Sequence, residues 1–424
     1  MTRFAGAGLC ACHLSANASS QNETKPENKE LSMDECRPIL NTGLRGLTVA
    51  TTRISDVDGA IGKLLYRGYL AKDLANTATF EEVVYLLLYE RLPEKKELKE
   101  FKALLARESL VPESVLKSLA LSPPEALPMD VLQAAVSMLA QHDPDIREDS
   151  KEATTRMSIR LIARMPVVVA AWDRIRKGKP PVPPSPELGL SGNFLYMLTG
   201  EKPDAEITAF FNTCLVLHAE HSFNASTFSA RQVASTKAHI YAAVSAAVGS
   251  LSGALHGGAN TRVMQMLQEI GSVERVEDYV TRILESGGVI MGLGHAVYQT
   301  DDPRAHILAP MSMKMGERVG DTRWHDLSKK LEKTGKEIFK NRKGREIYVN
   351  VDFYSASLYY YMGIPIDLFT PVFAIARIAG WSAHVIEEQF AGASPKPVLY
   401  RPEAEYIGDY CGPDECEFTP IDQR

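Results

Sequence analysis

The spacing of apolar and polar positions changes once along this chain, and the change predicts its architecture. Residues 43–69, GLRGLTVATTRISDVDGAIGKLLYRGY, alternate branched apolar and polar side chains around Asp58-Gly59. Successive side chains of a strand point to opposite faces, and Asp-Gly is a favoured turn, so this stretch predicts a β-hairpin. It is the only convincing β region. Everything after it follows the period of helices. FEEVVYLLLYERLP (80–93) predicts a helix ended by Pro93, and PEKKELKEFKALLARE (93–108) an amphipathic helix that begins with proline. PMDVLQAAVSMLAQH (128–142), EATTRMSIRLIARMPVVVAAWDRIRKG (152–178), SGNFLYMLTG (191–200) and DAEITAFFNTCLVLHAEH (204–221) continue the series. A kink is expected at Pro166 and a proline-rich loop at 179–189.

AHIYAAVSAAVGSLSGALHGGAN (238–260) is rich in small residues, as suits a helix packed closely in the interior. VERVEDYVTRILESGG (273–288) is amphipathic, and residues 311–344 read as one polar, Lys-rich helix. YVNVDFYSASLYYYMGIP (348–365) and the long helix TPVFAIARIAGWSAHVIEEQFAG (370–392) are apolar again. About fifteen helices and one hairpin make an almost all-α fold. The polar block between two apolar ones predicts a smaller helical domain, 258–357, inserted between the two parts of a larger one, 42–257 and 358–424, with the site between them. Residues 1–41 are polar and lack helical periodicity, and read as a disordered extension.

At 424 residues, 45% hydrophobic and 24% charged, the chain can bury a large core. No apolar run is read as reaching the roughly 18 residues of a membrane span. A net charge of −6 argues against a nucleic-acid partner, so anionic ligands must be caught by individual arginines. The cysteines, Cys10, Cys12, Cys36, Cys214, Cys411 and Cys416, form no CxxC and no zinc-finger spacing. They read as free thiols of a reduced, cytoplasmic protein. The N-terminus lacks an apolar signal region.

Six of the ten histidines lie between His218 and His306, several beside Gly, Asn or carboxylates. Imidazole exchanges protons near neutral pH, and glycine allows close approach of a ligand. His218 and His221, at i and i+3, are read as sharing a helix face. They fit a metal site, a structural pair or a substrate-orienting pair helped by Asn224, although HExxH is absent. His256 in LHGGAN reads either as a ligand-facing side chain or as incidental to a helix end. His295 follows Gly292-Leu293-Gly294, which lacks the third glycine of a dinucleotide fingerprint. Arg304 and Arg377 stand in tight or apolar surroundings and need an anion, either a ligand carboxylate or a structural Asp or Glu. Asp352 between Val351 and Phe353 should have its pKa raised by desolvation, which suits a general base, although a lone Asp is more often a helix cap.

Taken together, the hairpin, FEEVVYLLLYERLP, FLYMLTGEKP, LHAEHSFNAST, SGALHGGAN, GLGHAVYQTDDPRA, NVDFYSA, ARIAGWSAHVIEE and RPEAEYIG, in this order from Gly43 to Gly408, resemble the citrate synthase family. The resemblance implies a homodimer of helical subunits that condenses acetyl-CoA with oxaloacetate and hydrolyses citryl-CoA, with no metal or cofactor. It implies that His256 binds the thioester carbonyl, Asp352 removes the methyl proton and His295 polarises the ketone. Arg304, Arg377 and Arg401 would hold the oxaloacetate carboxylates, Arg401 reaching into the partner's site. His221 would contact oxaloacetate, with His218 and Asn224 beside it. Val289, Ile290, Met291, Gly292, Leu293, Gly294 and Asn350 would lie along CoA.

Ala296, Gln299 and Glu403 stand where many relatives carry Arg, Lys and Arg, which weakens the expected CoA-phosphate contacts. Arg342, Lys343 and Arg345 could compensate, but solvated surface charge is the plainer reading of them. The closest competing activity is 2-methylcitrate synthase with propionyl-CoA, since one methyl group changes discrimination by only roughly 1–3 kcal/mol. A metal-dependent helical hydrolase using His218, Glu220, His221 and His256, and a helical scaffold without activity, are readings from other classes.

Overall fold

The computed structural model describes residues 43–44, 46–408 and 419–424. The expected extension 1–41 and all cysteines except Cys214 lie outside them. Met1–Thr51 and Thr52–Arg424 form separate units. The described part of the first is a turn and an irregular stretch with Leu44, Leu47 and Val49 exposed.

In the second unit, Ser55–Asp58 pairs antiparallel with Lys63–Tyr66, Ser55 opposite Tyr66 and Asp58 opposite Lys63. The connection is the four-residue loop Gly59–Gly62 rather than a two-residue turn at Asp58-Gly59. Asp58 starts it by accepting from the N–H groups of Ala60 and Ile61 (3.0 and 3.3 Å). Tyr69–Leu70 adds a third strand.

Sixteen α-helices follow among the described residues. Their ends lie where capping chemistry puts them. Thr79 and Glu82 form a capping box that starts Phe80–Tyr89, and Glu90 in the left-handed conformation ends it before Pro93 is reached. The next helix starts at Lys95, because Glu97 reaches back to the Glu94 N–H (2.8 Å). Lys151–Arg176 continues through Pro166 as one helix. The polar stretch 311–344 is two helices, Pro303–Val319 and Arg323–Lys343, broken at Gly320, whose φ is 73°. The short or polar helices Ala71–Thr77, Glu113–Leu119 and Ala225–Ser235 carry too little periodicity to be read from sequence.

Helix Ala205–His218 ends at His218, so His221 lies in the following loop and the two do not share a helix face. The helix stops there because residues 219–224 are tied elsewhere and Asn224 caps the next helix.

The helix Phe369–Gln389 is buried almost all round, the pattern of a central helix. It packs against Lys151–Arg176, Ala225–Ser235, Ile240–Ser252 and Ala205–His218. The stretch Ile366–Gln389 does reach the length and apolarity of a membrane span, contrary to the expectation from sequence, but 94% of its most apolar 18 residues are buried inside the protein. Helices Ala259–Ile270, Val276–Glu285, Pro303–Val319, Arg323–Lys343 and Val351–Tyr361 pack mainly on one another. They meet the rest where Pro303–Val319 touches Ala205–His218 and Ala259–Ile270 touches Phe369–Gln389.

Candidate active site

At that junction His221, Asn224, His256, Arg304, Asp352 and Arg377 line a cavity of about 90 Å³, walled by Leu251, Val351 and Phe373. All but Arg377, which projects from the middle of Phe369–Gln389, are delivered by helix ends or the loops next to them. His256 lies in the turn between Ile240–Ser252 and Ala259–Ile270, so it is not a helix cap. A β-carbon on Gly257 would overlap the Leu251 carbonyl, and Gly258 enters the second helix at φ 72°. These are the positions of the turn where glycine is required.

The Ser226 N–H donates to His256 Nε2 at 3.1 Å, and the Ser226 hydroxyl lies 2.8 Å from the same nitrogen. An accepting Nε2 leaves the proton of the neutral ring on Nδ1. Burial, helped by Arg377, lowers the His256 pKa to about 4. The ring is therefore a neutral Nδ1–H donor at neutral pH. His295 has the opposite tautomer. Its Nδ1 accepts from the N–H groups of Val297 (3.0 Å) and Tyr298 (3.1 Å), leaving the proton on Nε2. Burial and Arg304 bring its pKa to about 4. His295 lines an adjoining cleft with Tyr298, Gln299, Arg345 and Tyr348, and its ring centre is 5.3 Å from that of His221.

Asn350 caps Val351–Tyr361, its Oδ1 accepting from the Asp352 N–H at 3.0 Å. This puts Asp352 in the first turn, facing the cavity. Burial raises its pKa from 3.8 to about 6, with Arg304 opposing and Asp302 adding to the rise.

The two arginines differ. Arg304 forms a bidentate pair with Asp302 (2.9 and 2.8 Å), so part of its anion requirement is met internally. Arg377, only 2% exposed, donates Nε to the His218 carbonyl at 2.8 Å and has no ion pair with a carboxylate among the described residues. Burial pulls its pKa down to about 10. A buried guanidinium lining a cavity without a paired carboxylate is an anion site in waiting.

His218 does not line the cavity. Its Nδ1 donates to the Cys214 carbonyl at 2.7 Å, its ring packs on Phe373, and burial lowers its pKa to about 3. His221 Nε2 is 3.3 Å from the Tyr298 hydroxyl, and burial holds its pKa well below the ordinary value. Glu220 turns away, with Oε1 accepting from Ser55 Oγ, the Ser222 N–H and His384 Nε2. His218, Glu220, His221 and His256 therefore do not converge as a metal site. No group of three or more His, Cys, Asp or Glu that could hold a metal occurs among the described residues.

Arg401 is exposed and does not line the cavity of its own chain. Within Val289–Gly294, Ile290 and Leu293 are buried and Val289 is exposed. The stretch is held by a Leu293–Val349 bridge, the Gly294 N–H on the Tyr348 carbonyl and the Asn350 N–H on the Gly292 carbonyl. The Asn350 amide donates to the Gly294 carbonyl (2.9 Å), so this side chain is engaged at both ends.

Ser226, Tyr298 and Asp302 were missed in the sequence. Asp302 had a signal: Asp before Pro303 is a helix start, and it caps Pro303–Val319.

The family model for the citrate synthase C-terminal domain matches residues 43–403. The chain belongs to the citrate synthase family. It is 44% identical over 385 residues to citrate synthase 2 of Bacillus subtilis, covering 90% of this chain and 98% of that protein. It is also 39% identical over 395 residues to 2-methylcitrate synthase of Mycobacterium tuberculosis, covering 92% and 95%. Among solved structures it resembles the ternary complex of citrate synthase from Thermoplasma acidophilum with carboxymethyl coenzyme A and oxaloacetate, at TM-score 0.81 and 30% identity, covering 90% and 98%. Membership makes the chain an enzyme of the citrate synthase type, an acyltransferase.

Proposed function

We propose that this chain condenses acetyl-CoA with oxaloacetate and hydrolyses the resulting citryl-CoA to citrate and CoA. One observation carries the reading: a neutral imidazole donor, a carboxylate of raised pKa and a buried arginine without a paired carboxylate share one small cavity. A thioester α-proton is a weak acid. Its removal needs a base and a donor to the enol oxygen acting together in a dry site.

In this reading Asp352 takes the methyl proton while His256 Nδ1–H donates to the thioester oxygen. The carbanion equivalent attacks the oxaloacetate ketone, which His295 Nε2–H polarises and then protonates. Arg377 and Arg304 hold the two carboxylates, joined by Arg401 from a second copy of the chain. His221 and Asn224 complete the oxaloacetate pocket, with His218 behind it fixing the wall through Phe373 and Arg377. Water then attacks the thioester of citryl-CoA. CoA lies along Val289–Gly294 and Asn350, with Arg345 in the adjoining cleft available to its phosphates. Closure of a small domain, 258–357, on the remainder excludes water until condensation is complete. The chemistry as written uses no metal or redox cofactor. The enzyme works as a cytoplasmic homodimer at the oxaloacetate-consuming entry to the tricarboxylic acid cycle.

The 2-methylcitrate synthase relative supports a second reading in which propionyl-CoA is the thioester. Mass spectrometry of the product from each thioester with oxaloacetate, and the ratio of kcat/KM, distinguishes them. Citrate formed with the higher kcat/KM supports the first reading, and 2-methylcitrate formed with the higher value replaces it.

A further inference from the structure

The cavity explains the side chains that face it but not why a β-hairpin stands beside them in an otherwise helical protein. The hairpin touches both loops that present the oxaloacetate ligands. At its base, Ser55 Oγ donates to Glu220 Oε1 at 2.9 Å and accepts from the Ser222 N–H at 3.1 Å. Ser222 has φ 52°, a left-handed conformation that costs a non-glycine residue free energy and persists only where its surroundings hold it. The loop held in this way presents His221 and ends at Asn224. Directly opposite Ser55, Tyr66 donates its hydroxyl to the Leu217 carbonyl at 3.3 Å, one residue before His218.

At its tip the hairpin meets the other loop. The Gly59 carbonyl accepts from the Gln299 N–H at 2.8 Å. A β-carbon on Gly59 would overlap the Val297 carbonyl, and one on Gly62 would stand 2.8 Å from the Asp301 carbonyl oxygen. Residues 297–301 lie between His295 and Arg304. Val297 and Tyr298 are the residues whose N–H groups fix the His295 tautomer, and Asp302 is the partner of Arg304.

We infer that the hairpin is a positioning template for oxaloacetate binding, setting the separation between the loop of His221 and Asn224 and the loop of His295 and Arg304. Ser55, Gly59 and Gly62 are its positioning residues. The inference rests on the proposed function. A short antiparallel pair suits the task because its length is fixed by paired backbone hydrogen bonds. Glycine at the tip lets main chain pack on main chain with no side chain between.

Gly68 supplies the control. It also has a positive φ, 89°, but a β-carbon there would meet nothing within 4 Å. Gly68→Ala strains the same ribbon without touching either loop. Oxaloacetate binding would be measured by titration calorimetry on the full chain, below the melting temperature of every variant. Gly59→Ala and Gly62→Ala should raise the oxaloacetate Kd by at least about tenfold, since misplacement of about 1 Å is enough for such losses. Gly68→Ala should lose comparable thermal stability and keep Kd within about twofold. Ser55→Ala leaves the backbone unaltered and should raise Kd severalfold, which keeps the test intact if a glycine variant does not fold. Unchanged Kd in Ser55→Ala and Gly62→Ala, or equal weakening in Gly68→Ala, overturns the inference. A folded wild type that does not bind oxaloacetate overturns the functional reading and this inference with it.

Discussion

Asn in place of Asp352 should make the protein both inactive and more stable. The carboxyl titrates at about 6 in the fold against 3.8 when free. A displacement of that size disfavours the ionised native state by at most about 3 kcal/mol at pH 8. The first turn of Val351–Tyr361 returns part of this through its helix dipole, so about 1–3 kcal/mol is expected. Because the native pKa lies above the unfolded one, the cost is complete above about pH 6. It shrinks as the pH falls from there towards 3.8, and vanishes below. Asp352→Asn should therefore resist denaturant better than wild type at pH 8 and equally at pH 4. Removal of the base should lower kcat/KM by about 10²–10⁴. Wild-type kcat should rise with pH through an acid limb near 6, where the base loses its proton. Denaturant curves at the two pH values and thiol-release kinetics measure both effects. Activity within tenfold of wild type, or lower stability at pH 8, would refute the assignment of a desolvated catalytic base.

Other consequences follow from the same geometry. Ring nitrogen NMR at pH 6 should find His256 and His295 neutral, with the proton on Nδ1 in the first and on Nε2 in the second; an imidazolium at either contradicts the argument from burial. Arg377→Leu should weaken oxaloacetate binding by more than about 2 kcal/mol while lowering unfolding free energy by only about 1–3 kcal/mol, the cost of leaving the His218 carbonyl without its donor, because the guanidinium has no paired carboxylate to abandon. Arg231→Ala should behave oppositely. Arg231 lies buried between Glu387 (2.7 Å) and Glu388 (2.6 Å), so its loss should cost about 3–5 kcal/mol of stability, read from denaturant midpoints.

What the sequence disclosed and what it hid divide along physical lines. Long amphipathic helices such as Lys95–Glu108 were legible because their periodicity records burial directly. Asp352 was legible for a similar reason, since apolar neighbours in sequence foretold desolvation. The helical pairing of His218 with His221 failed because the helix end depends on Arg377 and Glu220 bonding to groups far away in the chain. No local pattern encodes such partners. Ser226 and Tyr298 were invisible for the same cause: a backbone N–H that sets a tautomer, or a hydroxyl that faces a histidine, looks in sequence like any other. The hairpin was found, but its four-residue loop, and the glycines pressed on residues 297–301, became readable only from the tertiary contacts.

The most direct test is oxaloacetate-dependent release of free thiol from acetyl-CoA by the purified full chain, run in EDTA, with propionyl-CoA in parallel. Rapid release that requires oxaloacetate, survives EDTA and favours acetyl-CoA is the predicted result. Release from neither thioester by correctly folded protein would contradict the proposed condensation and the roles given to His256, His295 and Asp352.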